Sequence, residues 1–339
     1  MTLNRALFLA GLGGAAVCGA RPAAAQMPGA RRIDVHRHVS PPFYQTEIKT
    51  SYPKMFPPPL ASWTPESCLA DMDAAGIALG MLSMPARPGV YFGDAAFARK
   101  FCRECNDYMA ELRRVHPGRF GIFAALPMPD VEGSLAELAY ALDTLHADGV
   151  GVWTSYGQRY LGDPSFAPLW AELNRRNAVV FTHPTDAACC VNPVSQMSET
   201  VVEFGADTTR AIGSLVFSGT STKFPAIKFI FSHGGGTMPF VIDRFHGQGK
   251  ESAALLPHGV EYELKRFYYD TAFASSPEAM AALLKLVPPS QVVLGTDFPY
   301  APGSQTIAEL TVCGVSNRDL AAITRESALP LVGPASLRA

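Results

Sequence analysis

His36 and His38, one residue apart, are the first residues of this chain whose types and spacing could do chemistry. Ile33, Val35 and Val39 around them read as a short strand, and on a strand residues i and i+2 share a face. Both imidazoles then point one way, Arg37 points the other, and Pro41-Pro42 ends the strand at once. Such a pair is half of a metal site, but alone it is equally an ordinary pair of strand histidines. Three more residues tip the balance. His183 closes the apolar run Val179-Val180-Phe181-Thr182, His233 closes Ile227 to Ser232, and Asp297 closes Val292 to Thr296. Imidazoles and a carboxylate gathered at strand ends make a donor set for a divalent cation, or an acid/base pair beside one. His116, His146, His246 and His258 fall elsewhere and read as solvated or helix-end residues.

The elements that must position these groups alternate. Strand-like runs fall at 33–38, 77–83, 120–126, 150–153, 179–183, 227–233, 267–270 and 292–297. Helical runs separate them: one after the Thr64 cap with Pro65 at its first position, then 94–115, 131–147 closed at Gly149, 165–177 and 198–218. Strands divided by helices imply parallel βαβ units, and this number over such a length implies an α/β fold, a (β/α)8 TIM barrel. In that architecture chemistry sits at the C-terminal ends of the strands, where His36, His38, His183, His233 and Asp297 all fall.

Composition sets the outer bounds. A formal net charge of −2 over 339 residues gives no electrostatic footprint for nucleic acid or an anionic membrane. Residues 1–25 differ from the rest: Arg5, an apolar Ala/Gly-rich run from Ala6 to Val17, then Ala23-Ala24-Ala25 before Gln26. That is the pattern of a cleavable export signal, too short to be a membrane span, and it predicts an exported, periplasmic protein with one catalytic domain over 26–339. With Cys18 lost in the leader, the six scattered cysteines left are no disulfide framework. Cys105 of the Cys102/Cys105 pair recurs with Phe101, Met109 and Leu112 at helical spacing and should face a core. Cys189 and Cys190 are neighbours, and adjacent cysteines seldom bridge.

The motifs together resemble a known family. Ile33-Asp34-Val35-His36-Arg37-His38, Met72-Asp73-Ala74-Ala75-Gly76-Ile77, Thr182-His183-Pro184, Ser232-His233-Gly234-Gly235-Gly236 and Gly295-Thr296-Asp297-Phe298-Pro299-Tyr300 carry the likeness. It is to the amidohydrolase superfamily, and more narrowly to its aminocarboxymuconate-semialdehyde decarboxylase branch, which includes 6-methylsalicylate and resorcylate decarboxylases. The resemblance covers almost the whole chain after the leader. It implies that His36, His38, His183 and Asp297 hold one divalent metal, zinc being expected and manganese the alternative. It also implies that His233 is the acid/base group, and that Arg244 binds a substrate carboxylate, lent by the neighbouring subunit of a homodimer.

Two departures narrow the expectation. Binuclear amidohydrolases bridge their metals with a lysine on strand 4, and Val150-Gly151-Val152-Trp153 has none, so one metal is expected. The semialdehyde decarboxylase has an arginine where this chain has Phe56, with Lys54 nearby, which favours a more aromatic substrate. Pro41-Pro42-Phe43-Tyr44 and Pro88-Gly89-Val90 tilt the likeness toward the 6-methylsalicylate members. Phe43, Tyr44, Met84, Trp153, Phe298 and Tyr300 flank strand ends and are candidates to line an aromatic pocket. The implied activity is non-oxidative loss of CO2 from a small aromatic or unsaturated carboxylic acid. Direct loss would leave a costly aryl anion. Protonating the ring carbon first, with Asp297 or His233 supplying the proton, or adding metal hydroxide to a nearby carbon gives the electrons somewhere to go, while a metal polarises the substrate's oxygens. A hydrolase opening a lactone or amide would use the same groups and is the alternative.

Overall fold

The computed structural model describes residues 31–51, 57–85, 93–191 and 193–337. The leader, Lys54, Phe56 and Pro88-Gly89-Val90 lie outside the described residues. Ten strands run in chain order: β1 Arg32–His38, β2 Ile77–Ser83, β3 Phe120–Ala125, β4 Gly149–Trp153, β5 Ser155–Tyr156, β6 Arg159–Tyr160, β7 Val179–His183, β8 Lys228–Phe231, β9 Tyr268–Asp270 and β10 Val292–Val293. Eight of them form one parallel sheet in the order β1-β2-β3-β4-β7-β8-β9-β10, while β5 and β6 make a small antiparallel hairpin. The sheet curls nearly closed. Val35 N–H donates to Leu294 O at 2.8 Å, Asp297 N–H to His36 O at 2.9 Å and His38 N–H to Phe298 O at 2.8 Å.

The strand periodicity sorts two cores. Ile33, Val35, Leu79, Met81, Phe123, Phe181, Ile230 and Val293 fill the barrel interior. Residues of opposite parity, such as Leu82, Ile122, Val150, Val152, Val180 and Phe229, pack beneath the helices. β1 breaks this alternation where it matters. Asp34 pairs with Gly80 and Arg37 with Leu82, so the β1 residues between them outnumber those on β2 and form a bulge. Val35 and His36 therefore both face inward, and the bulge re-aims the two histidines into the barrel. Arg37 faces out, fully buried, as the spacing predicts.

The expected elements form, with corrections. The 131–147 run is an α-helix only over Val131–Ala139, passes into a π-turn at Tyr140–Thr144, and His146 at φ 52° turns the chain. Gly149 does not close it but opens β4, because a Cβ there would sit 2.5 Å from the Val179 carbonyl oxygen. β8 stops at Phe231 and the β10 ladder at Val293, short of the catalytic residues each was expected to carry. The helix Ala95–Val115 starts at its Asp94 cap and buries Phe101, Cys102, Cys105, Met109 and Leu112. Burial pushes both thiols well above their ordinary range, so these cysteines are core residues. Against expectation, Cys189 and Cys190 are joined as a disulfide. They lie in the irregular loop after β7, where no strand ladder or helix constrains the backbone between them. Among the described residues no helix is long and apolar enough to cross a membrane.

Candidate metal centre

The bulged end of β1 presents His36 and His38, β7 ends on His183, and Asp297 follows β10. Their donor atoms all lie within 4.8 Å of one another. His36 and His38 Nε2 are 3.3 Å apart, and Asp297 Oδ1 lies 3.2 Å from the first and 2.9 Å from the second. Asp297 Oδ1 nonetheless makes no hydrogen bond, and His183 Nε2 is buried without a partner. A carboxylate oxygen and an imidazole nitrogen buried without partners among these donors fit a cation placed between them.

The outer bonds set the tautomers. His36 Nδ1 lies 2.8 Å from Asp270 Oδ2, and His183 Nδ1 lies 2.7 Å from the Pro184 carbonyl oxygen. Both partners are acceptors, so each Nδ1 carries a proton and each Nε2 is turned to the centre. Burial, then the neighbouring imidazoles, holds His183 well below its ordinary value, a neutral ligand. Burial also pulls on His36, but Asp270 and Asp297 outweigh it and push that imidazole up to about 10. Its proton is one that a cation would displace. Burial opposes ionisation of Asp297, yet His36 and His38 hold it well below the carboxylate range.

His233 stands beside this cluster, with its ring 5.2 Å from that of His36 and 5.3 Å from that of His183. Its N–H donates to Asp270 Oδ1 at 2.9 Å, its Nδ1 lies 3.0 Å from Ala272 O, and its buried Nε2 has no partner. An Nδ1 proton on the carbonyl leaves Nε2 free to take up and hand on a proton. Asp297, His233 and Phe273 sit in the left-handed region at φ 62°, 56° and 48°. For non-glycine residues that is strained backbone, and it gathers around this site. Gly234, Gly235 and Gly236 also have positive φ and turn the chain sharply out of β8.

A small cleft opens beside His183, walled by Met84, Ala125, Leu126, Trp153 and Tyr156. Tyr156, on the hairpin after β4, accepts a hydrogen bond at 2.9 Å from the Trp153 N–H and stacks on the Trp153 ring. Of the six residues expected to line a pocket, Met84 and Trp153 do so. Tyr300 sits edge-on to His38 at 5.6 Å. Phe43 packs against Phe101 and Tyr108, Tyr44 is buried against Phe101, and Phe298 lies over the Arg37 guanidinium at 4.4 Å. Those last three pack the walls of the barrel mouth rather than line this pocket. Arg244 is exposed on the helix Ile242–Glu251 and has no ion pair among the described residues. Glu261, a possible partner, is taken by Lys265 at 2.7 Å and His246 at 3.4 Å.

The family model described as Amidohydrolase matches residues 33–325. The chain belongs to the amidohydrolase family. Among the relatives of this amidohydrolase, "Decarboxylase yanB" of Aspergillus niger is 38% identical over 291 residues, covering 80% of this chain and 78% of that one. A "6-methylsalicylic acid decarboxylase" of Penicillium expansum is 34% identical, covering 80% and 86%. A solved dihydroxybenzoic acid decarboxylase from Polaromonas, with bound manganese and 2-nitroresorcinol, superposes with TM-score 0.76 at 21% identity, covering 88% and 96%.

Asp270 is the residue of this cluster that sequence reasoning missed. It binds His36 and His233 together, and His36, His233 and Asp270 form a second cluster with ligand atoms in reach of one another. The signal was present: Asp270 ends the seventh strand run, and it is one more ionisable residue at a C-terminal strand end. Tyr156 gave no such signal, because its place depends on a two-residue hairpin strand.

Proposed function

We propose that this amidohydrolase is a metal-dependent, non-oxidative decarboxylase of a small aromatic carboxylic acid of the salicylate or 6-methylsalicylate class. The observation that carries the reading is the junction of two features. A buried His36/His38/His183/Asp297 cluster meets an aromatic pocket at His183, with the free Nε2 of His233 beside it. The decarboxylase names of the relatives support the reaction class over hydrolysis of a lactone or amide.

A divalent metal held by those four residues supplies Lewis acidity toward the substrate's carboxylate and neighbouring phenolic oxygen. The chain's own groups do the rest. The ring carbon bearing the carboxylate must gain a proton before the C–C bond breaks. CO2 then leaves, and its bonding pair restores the aromatic ring. His233 Nε2 carries that proton, a role supported by its buried, unpartnered position beside the cluster and by Asp270 holding its backbone. Asp297, held ionised by its imidazole neighbours, suits a ligand better than a resident acid. The walls Met84, Leu126 and Trp153 hold the ring and keep water off it.

One metal per chain is the stoichiometry these ligands support. Three imidazoles and a carboxylate suit zinc, while manganese is the metal in the Polaromonas structure. The active form is a homodimer in which Arg244 crosses into the partner's pocket to bind the carboxylate. Its unpaired guanidinium supports this, as do the exposed rings of Phe240 (73%) and Phe273 (63%) at the rim. The mature protein is exported and begins near Gln26, which N-terminal sequencing from the native host checks. Metal analysis, together with CO2 release measured across salicylates, resorcylates and simple lactones, tests the function. Acid from a lactone without CO2 from any hydroxybenzoate would assign the hydrolase instead.

A further inference from the structure

Gly151 lies in β4, paired with Ala125 on β3 and Phe181 on β7. Its neighbours Val150 and Val152 pack beneath the helices, so Gly151 and Trp153 face into the barrel. Trp153 pairs with His183, which places Gly151 and Phe181 one inward-facing layer below the metal ligand. The pocket beside His183 dips to that layer and is lined by Gly151.

Nothing structural requires glycine there. A Cβ on Gly151 would meet nothing closer than the Phe123 carbonyl oxygen at 3.7 Å and the Ser83 Cβ at 3.9 Å, which is ordinary contact. Its φ is not in the left-handed region. Gly295, which is crowded, differs. A Cβ on Gly295 would press on Asp270 at 2.8 Å and His36 at 2.9 Å. A glycine inside a strand also weakens it relative to alanine. Gly151 thus costs the strand something and returns only a methyl-sized space in the pocket floor, beside the Phe123 carbonyl oxygen and the Ser83 Cβ, in a pocket that Ala125, Leu126 and Phe181 also line. His183, whose buried Nε2 is unpartnered, fixes the polar end of whatever occupies that space.

We propose that Gly151 is the specificity-determining residue of this pocket: its missing side chain admits an apolar substituent on the substrate ring, so the substrate is an alkyl-substituted hydroxybenzoate rather than the bare ring. The inference rests on the decarboxylase reading above. A methyl group in a fitted apolar pocket is worth about 10–200-fold in discrimination. Filling the space with a side chain should remove that preference and leave the metal end of the site alone.

The test compares wild type, Gly151→Ala and Gly151→Val, each metal-loaded, on salicylate and 6-methylsalicylate. Wild type should favour the methylated acid by about tenfold or more in kcat/KM. Gly151→Val should abolish or reverse the preference while still turning over salicylate, and Gly151→Ala should fall between. The melting temperature of Gly151→Ala should stay level or rise, which a glycine needed for folding would not allow. Calorimetric binding of 2-nitrophenol and 3-methyl-2-nitrophenol, in which the nitro group stands for the carboxylate, gives a readout without turnover. If no acid releases CO2, the decarboxylase reading fails, while loss of affinity for the methylated ligand alone in the variants still upholds the pocket assignment. An unchanged preference in both variants, or an equal loss for plain and methylated ligands, overturns it. Should Gly151→Val not fold, the same comparison is read in Gly151→Ala.

Discussion

Asp270 ties one imidazole and the neighbouring backbone with one carboxylate: Oδ2 fixes the His36 ring and Oδ1 takes the backbone N–H groups of His233 and Ala272. The residues around the cluster therefore separate by what their loss should do. His183→Ala removes one of four converging donors and should lose the metal, whereas His233→Ala should keep the metal and lose turnover by about 10²–10⁴-fold. Elemental analysis alongside a rate assay reads both. Metal retained in His183→Ala would break the ligand set, and metal lost from His233→Ala would move His233 into it. Asp270→Asn should lower metal affinity by about 10–100-fold through the His36 ring, which a metal titration reads. The histidines were legible because chemistry-bearing types at strand ends stand out in the sequence. Asp270 was not singled out, because its partners are 234 and 37 residues away and only the closed barrel brings them together.

At the scale of elements, β1 is tied to its surroundings from both faces. Inward it carries the two histidines. Outward, Arg37 bonds Asp34 at 3.0 Å and Asp71 on the helix Pro65–Ala74 at 2.8 Å, while Asp34 also accepts from Thr296 Oγ1 at 2.6 Å beside Asp297. Burial pushes the Asp34 carboxyl up even though Arg37 opposes it, so its ionised form depends on the arginine. Arg37→Ala should cost about 3–5 kcal/mol in chemical denaturation, because it strands a buried charge. Loss of under about 1 kcal/mol, typical of a surface pair, would refute that role. Alternation of apolar residues located all eight barrel strands within a few residues. The β1 bulge was not readable, because a bulge is a property of pairing with β2 and leaves no mark in β1's own pattern. The shortened β8 and β10 follow similarly: their last residues turn to serve the site, in left-handed backbone at His233 and Asp297, instead of continuing the ladder.

For the whole molecule, Arg244 is proposed to reach into a partner's pocket. It lies on a rim helix, unpaired and exposed, next to the exposed ring of Phe240. In the proposed dimer, mixing Arg244→Ala chains with His233→Ala chains should restore activity, since one of the two mixed sites receives both intact residues. No rescue, with Arg244→Ala alone impaired, would place the arginine's action within its own chain; a fully active Arg244→Ala would remove it from the pocket. The barrel itself was legible because each βαβ unit is local in sequence, whereas the proposed subunit contact would leave no local pattern to read. The function as a whole is tested most directly by one measurement: CO2 and phenol released from 6-methylsalicylate by the metal-loaded protein, before and after chelation. A metal-dependent decarboxylase gives equimolar CO2 and 3-methylphenol, stops on chelation and recovers when the metal is restored. Turnover that survives complete removal of the metal, or no CO2 from any hydroxybenzoate by protein carrying one metal per chain, would contradict it.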